Sequence, residues 1–111
     1  MNIQEFQQTV VEATDKINKV LVAKRKEYTN NDDPFHNFRA ATGVSLHNTK
    51  EAVAYEFLVK HLQSFKDIIT FIEDKNYTNI DKVLLDEKAI DIINYVLLIR
   101  GMIIDRIDNQ I

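Results

Sequence analysis

Hydrophobic residues recur at three- and four-residue intervals along most of the chain, which is the periodicity of amphipathic α-helices. The pattern predicts long helices over residues 3–28, 49–73 and about 86–108, the last with a short lead-in from Asp81. Only two glycines and one proline interrupt the 111 residues, so a few long helices are favoured over many strands. We therefore expect one all-α domain, residues 1–111, built as an antiparallel bundle of three long helices.

A short additional helix is predicted after the first long one. The polar run 29–33 ends the first helix, and Asp33-Pro34 has the form of an N-cap followed by proline in the first turn. The short helix would cover about residues 34–42, and Gly43 would close it in a left-handed conformation.

The residues around this break have two interpretations, one structural and one as part of a ligand-binding site. Phe35 and Phe38 stand one turn apart and should plug the end of the bundle, with Asn37 between them. Asn37 could make a capping hydrogen bond, or its amide could contact a base or phosphate. Lys24 and Tyr28 continue the apolar stripe of the first helix, either as a fraying end with a lysine reaching water or as an amine and a phenol that face a ligand.

Two polar residues of the second long helix, Glu51 and His61, fall in phase with its apolar face. An inward-facing histidine is most often held by hydrogen bonds, although it can also act as a ligand or base near neutral pH. The opposite side carries a polar row, which is usually the solvated face of a helix: Glu56, Lys60, Gln63 and Asp67.

The third long helix begins with a polar stripe at positions i, i+4 and i+7, formed by Glu87, Asp91 and Asn94. The stripe continues onto Leu98 and Met102, so the helix becomes apolar on every side and should be buried by its own chain or by a partner subunit. Arg100, among apolar neighbours, should need a carboxylate partner within the chain or across a dimer. Two carboxylates and an amide that enter a buried segment require a cation, a ligand or a hydrogen-bond network.

Composition excludes several classes of function. The net charge of −3 argues against direct nucleic-acid binding, and the absence of cysteine removes thiolate catalysis and cysteine-bound zinc and fits a reducing cytoplasm. No signal peptide or membrane span is expected. Because no glycine-rich phosphate loop is present, phosphates would have to be held through Mg²⁺ on acidic side chains, for which Glu87 and Asp91 are one turn apart.

Four short motifs follow one another along the chain: Lys26-x-Tyr28, Asp33-Pro34-Phe35-x-Asn37-Phe38, Lys60-His61-Leu62-x-Ser64 and Glu87-x-x-x-Asp91-x-x-Asn94-Tyr95. In this order, over about residues 24–98, the chain resembles small phage-encoded proteins of the nucleotide-modification-associated group. That group is related to the MazG-like all-α nucleoside triphosphate pyrophosphohydrolases. The resemblance implies a helical bundle completed as a homodimer or homotetramer, with Mg²⁺ (or Mn²⁺) between the second and third long helices and a base near the end of the first.

Carried onto this sequence, the resemblance implies Glu56, Glu87 and Asp91 as metal ligands. It implies a nucleotide-binding set formed by Lys24, Tyr28, Asn37, Phe38, Lys60, His61 and Asn94.

One departure separates the chain from the MazG-like pattern. Such enzymes carry Glu-x-x-Glu on the second helix, whereas here Ala54 follows Glu51 and Val59 follows Glu56 at that spacing. Either glutamate would therefore act alone, with or without His61, or the full metal site is absent.

Two hypotheses about function follow. The chain is a nucleotide-binding protein or pyrophosphohydrolase, or it is a non-catalytic helical protein that oligomerises or docks a partner through its C-terminal helix.

Overall fold

The computed structural model describes residues 1–28 and 33–109, and for residues 22–28 it describes the backbone alone. Its regular elements are helical, and no β-strand occurs among these residues. The prediction of an all-α fold with three long helices and a short one after the first is confirmed. The elements are α1 (Ile3–Tyr28), α2 (His36–Ala41), α3 (Lys50–Glu73), a 3₁₀ turn (Tyr77–Asn79) and α4 (Lys82–Asp108).

Side-chain caps define where α3 and α4 begin. The Thr49 hydroxyl accepts the backbone N–H of Ala52 at 3.2 Å, and the Asp81 carboxylate accepts that of Leu84 at 2.8 Å. Each bond satisfies one of the unpaired donors of a first helical turn. Because Asp81 is the cap, α4 is one continuous helix that starts four residues before the predicted Asp86.

The short helix differs from its prediction at both ends. Asp33 is not its N-cap: the Asp33 carboxylate accepts the N–H of Phe35 at 3.0 Å in a local turn, and α2 starts only at His36. Gly43 is not left-handed, so that prediction was wrong. Its N–H instead bonds to the carbonyl of Ala40 at 3.2 Å, and this tight turn continues the right-handed path without a positive φ.

A left-handed residue does end α3. Lys75 has φ of 58°, and the N–H of the following Asn76 reaches back to the carbonyl of Phe71 at 2.8 Å. The Lys75 N–H bonds to the carbonyl of Ile72 at 3.1 Å. These two bonds form a Schellman motif, which satisfies the last carbonyls of the helix and turns the chain toward α4.

The core lies where α2 covers the antiparallel pair α3 and α4. Phe38, Val53, Ala54 and Met102 are buried together, and Phe35 packs against them. The prediction that the two phenylalanines plug one end of the bundle is confirmed. The ring of Phe35 comes so close to α4 that a Cβ added at Gly101 would lie 3.1 Å from its Cζ atom. This packing fixes the inner faces of α3 and α4.

Helix α1 is held less extensively. An ion pair joins Lys16 to Asp86 in the second turn of α4, and Ile17 is half-buried just beyond it. A groove of about 700 Å³ opens between the first turns of α1 and α4, with Phe6 and Val83 among its walls. The apolar residues at the start of α1 are therefore exposed. Within the described ranges, no helix combines the length and the apolar character needed to cross a bilayer.

Candidate functional site

Two facing side chains connect the middle of α3 to the polar stripe of α4. The Nδ1 atom of His61 lies 3.7 Å from an Asp91 carboxylate oxygen, and the side chains are 26% and 16% exposed. The His61 ring stacks on Tyr95, with centroids 5.0 Å apart and 30° between the planes. The prediction that His61 faces the neighbouring helix is confirmed, and it lies beside the carboxylate that the sequence singled out.

An aromatic cluster surrounds this pair, formed by Phe38, Phe57, His61 and Tyr95. The Tyr95 ring stacks on Phe57 at 6.3 Å and meets the edge of Phe38 at 6.0 Å. Pairs at such distances attract one another beyond simple area burial. The cluster joins α2, α3 and α4, so the ring of Tyr95 is held by packing from three elements.

Asn94, one turn after Asp91 on α4, is the most unusual polar residue described. It is only 4% exposed, and neither atom of its side-chain amide has a hydrogen-bond partner in the described part of the chain. Burying an amide without hydrogen bonds costs roughly 1–3 kcal/mol. In native proteins such a group is satisfied by an ordered water, by a ligand or by another part of the chain. The amide presents a donor and an acceptor side by side, which suits a ligand edge of the same pattern.

The predicted metal ligands are not brought together. Glu87 is exposed, and Glu56 is exposed and faces His47, with 3.3 Å between Nε2 and Oε2. Only Asp91 points toward the neighbouring helix. Among the described side chains, those of residues 1–21 and 33–109, no three acidic or histidine groups stand close enough to hold a metal ion. The described residues therefore do not assemble the predicted ligand set, and the metal assignment stays a prediction.

The other predicted nucleotide-binding residues lie in several places. Phe38 belongs to the aromatic cluster, whereas Asn37 is exposed on α2. Lys60 is exposed, with its Nζ atom 5.4 Å from the centroid of the Phe57 ring. Lys24 and Tyr28 lie outside the described side chains. The interpretation of the polar row on α3 as a solvated face is confirmed, because all four members are exposed: Glu56, Lys60, Gln63 and Asp67.

A second polar group, which the sequence did not predict as a unit, joins the start of α3 to the end of α4. Arg106 donates two hydrogen bonds to the Glu51 carboxylate, at 2.6 and 3.0 Å. The buried Lys50 ammonium lies 3.0 Å from the same carboxylate. Hydrogen bonding from Arg106 is the main cause that lowers the pKa of Glu51 to about 2. The Glu51 carboxylate therefore links the start of α3 to the end of α4.

The expectation that apolar neighbours enclose Arg100 is not met within one chain. Arg100 is exposed, a carboxylate partner for it across a dimer stays a prediction, and the partly buried carboxylate of Glu51 is paired with Arg106. A sequence signal existed: Glu51 is in phase with the apolar face at the start of α3, and antiparallel packing places the end of α4 beside it. The choice between two arginines six positions apart required the register of the helices.

In comparisons with known proteins, no family model, curated protein or solved structure matches the chain.

Proposed function

We propose that this protein binds a nucleotide and that Asn94 pairs with the edge of its base. The observation that supports this most directly is the buried amide of Asn94, which finds no hydrogen-bond partner in the described part of the chain. A base edge supplies an adjacent donor and acceptor, which a side-chain amide matches with two hydrogen bonds. The motif resemblance, which implies Asn94 as a nucleotide-binding residue and Asp91 as a metal ligand, supports the same class of ligand.

Asn94 lies one turn after Asp91 on α4 and directly before Tyr95, a member of the aromatic cluster. A base that stacked on Phe57, the exposed member of this cluster, would gain about 1–3 kcal/mol from that contact. His61 and Asp91 add a donor and a carboxylate on the same side of α4. A buried amide that hydrogen-bonds its ligand also rejects analogues that lack the matching groups, because the amide is then left unpaired.

Pyrophosphohydrolase activity with Mg²⁺ is the extension of this proposal that the MazG-like resemblance implies. Asp91 would be one metal ligand, and further acids would have to join it. Since the described residues of one chain do not supply them, we derive no catalytic step. Activity is tested by incubating the protein with each deoxynucleoside triphosphate and Mg²⁺ or Mn²⁺. Pyrophosphate release that disappears in Asp91→Ala would support a pyrophosphohydrolase.

Nucleotide binding itself is tested by thermal melts with each nucleotide, with and without Mg²⁺. A ligand that binds only the folded state raises Tm, and at a hundredfold excess over Kd it adds about 2.7 kcal/mol. The informative variant is Asn94→Leu. We expect it to lose the nucleotide-dependent rise in Tm, while the unliganded protein melts no lower than wild type because an unpaired buried amide has been removed. Gln63→Leu, which removes an exposed amide, is the matched control and should keep the rise.

A wild-type Tm that no nucleotide changes would contradict the proposal. So would an Asn94→Leu variant that retains the full rise, or one that melts well below wild type without ligand, since the amide would then have a structural role.

A second candidate function is a non-catalytic interaction protein. The large apolar residues exposed on α4, such as Val96 and Ile107, favour it. Under this hypothesis, Tm would depend on protein concentration and would not respond to nucleotide.

A further inference from the structure

The ion pairs that join the start of α3 to the end of α4 contain more positive charge than negative charge. Their members are Lys50, Glu51 and Arg106, and we call them the α3–α4 ion group. Lys50 is the one buried charged residue in the described part of the chain, with 8% of its side chain exposed. A buried charge is costly unless an opposite charge compensates it.

One carboxylate serves both cations of this group. The Nε atom of Arg106 lies 2.6 Å from Oε1 of Glu51, and the Nζ atom of Lys50 lies 3.0 Å from the same oxygen atom. The two cations are therefore held within about 6 Å of each other, where like charges repel appreciably outside bulk water. No other carboxylate among the described residues lies within ion-pair distance of Lys50 or Arg106.

Neither Asp105 nor the helix dipole compensates Lys50. Asp105 attracts the guanidinium of Arg106 more weakly than Glu51 does. Its carboxylate is exposed and accepts the side-chain amide of Asn109 at 3.0 Å. Lys50 itself lies in the first turn of α3, where the partial charge of a helix is positive. The group therefore keeps an excess of one positive charge.

Most hydrogen-bond donors of the two cations are also unused in the described part of the chain. A guanidinium has five N–H donors and an ammonium has three. Arg106 donates two hydrogen bonds and Lys50 makes one contact, all of them to Glu51. The side chain of Arg106 is 37% exposed, so a small ion in solution can reach the guanidinium and the ammonium beside it.

We propose that the α3–α4 ion group is a binding site for a phosphate group, held between Lys50 and Arg106. A tetrahedral oxyanion has several acceptor oxygen atoms, so it can receive hydrogen bonds from both cations at once. Such charge-assisted hydrogen bonds are roughly twice as strong as neutral ones. The bound phosphate supplies the negative charge that the group lacks.

This site goes beyond the proposed nucleotide site. Glu51 and His61 are ten positions apart on α3, which corresponds to about 15 Å along the helix. Neither Asp91 nor Asn94 contributes to the α3–α4 ion group. The ligand is therefore inorganic phosphate or a small phosphate ester whose binding does not require Asn94, so the two proposals can fail separately.

The test is the Tm of the full-length protein in increasing concentrations of inorganic phosphate, with sodium chloride adjusted to keep the ionic strength constant. The Tm of wild type should rise and saturate, by roughly 5–10 °C at tenfold excess over Kd. Lys50→Met should lose this rise, because the ammonium is removed while an unbranched side chain remains. Lys66→Met, the same substitution at an exposed position of α3, is the matched control and should keep it.

Glu51→Gln should have the opposite effect on phosphate binding. Removal of the competing carboxylate leaves two cations without an anion, so the Kd for phosphate should fall by roughly tenfold. The unliganded variant should still be less stable than wild type. Ion pairs that only hold the helices together would lose stability in both variants and would give no phosphate response in either.

A wild-type Tm that phosphate does not change would overturn the proposal. So would an equal rise in Lys50→Met and Lys66→Met, which is the general effect of a salt excluded from the protein surface. Asn94→Leu should keep the full response, and its loss there would assign the phosphate to the nucleotide site instead. If Lys50→Met does not fold, Glu51→Gln still decides, because an unchanged Kd would show that phosphate binds away from the α3–α4 ion group.

Discussion

The two ends of the molecule carry similar hydrophobic periodicity but use it differently. At the end formed by α2, the start of α3 and the last turns of α4, Met102 is completely buried and Glu51 is held by Arg106. At the other end, Phe6 of α1 and Val83 of α4 are 58% and 79% exposed beside an open groove. The difference teaches that an apolar stripe specifies a helix and its inner face, whereas burial depends on whether another element reaches that face.

The largest expected difference between the two ends concerns core packing. Met102→Ala should leave a cavity among Phe38, Val53 and Ala54 and lower the free energy of unfolding by about 2–5 kcal/mol. Val83→Ala, on the same helix at the open end, is the matched control and should change it by less than about 0.5 kcal/mol. Urea denaturation measures both, and equal losses would mean that the two ends are packed alike.

An intermediate effect is expected from the ion-pair group of the packed end. The pKa of Glu51 lies at about 2, below its ordinary value of 4.5. The contribution of the ionised Glu51 carboxylate to the free energy of unfolding is therefore complete above pH 4.5 and is lost as the pH falls toward 2.

Glu51→Gln should lower the free energy of unfolding by roughly 1–3 kcal/mol at neutral pH. The difference from wild type should shrink as acid protonates the carboxylate. Thermal melts across this pH range provide the measurement. A constant difference at all pH values would show that the charge of Glu51 is not what stabilises the packed end.

The smallest effect is expected at the open end of α1. Phe6→Ala removes a large aromatic ring, yet because the ring is more than half exposed, the free energy of unfolding should change by less than about 0.5 kcal/mol. A loss of several kcal/mol that grows with protein concentration would show that another copy covers the start of α1. Denaturation at two protein concentrations distinguishes these outcomes.

Local signals explain which parts of the fold were predictable. Thr49 and Asp81 each cap a helix by accepting a hydrogen bond from the backbone N–H three residues later. Phe35 and Phe38 lie one turn apart and pack into the same core. Neighbouring positions in the sequence are sufficient to predict both features. The prediction for the end of α2 was wrong because a glycine permits a left-handed conformation without requiring it. At Gly43 a tight right-handed turn satisfies the backbone instead.

The candidate site depended on contacts that local patterns do not contain. The pairing of Glu51 with Arg106 spans 55 residues of sequence, so the register of α3 against α4 had to be known first. The polar stripe of α4 was visible, but its members are buried to different degrees: Glu87 is exposed, Asp91 is mostly buried and Asn94 is almost fully buried. The stripe crosses obliquely from solvent toward the interior, and a helical wheel alone does not give that tilt.

The most direct test of the account follows the side-chain amide of Asn94 by ¹H–¹⁵N NMR, with its resonance assigned by its absence from the spectrum of Asn94→Leu. During titration with nucleoside triphosphates and Mg²⁺, we expect the Asn94 amide protons to shift downfield and saturate with one class of base, as hydrogen bonds form. The exposed amide of Gln63 should not move. An Asn94 resonance unchanged by every nucleotide, in a protein that remains folded, would contradict the claim that this buried amide recognises a base.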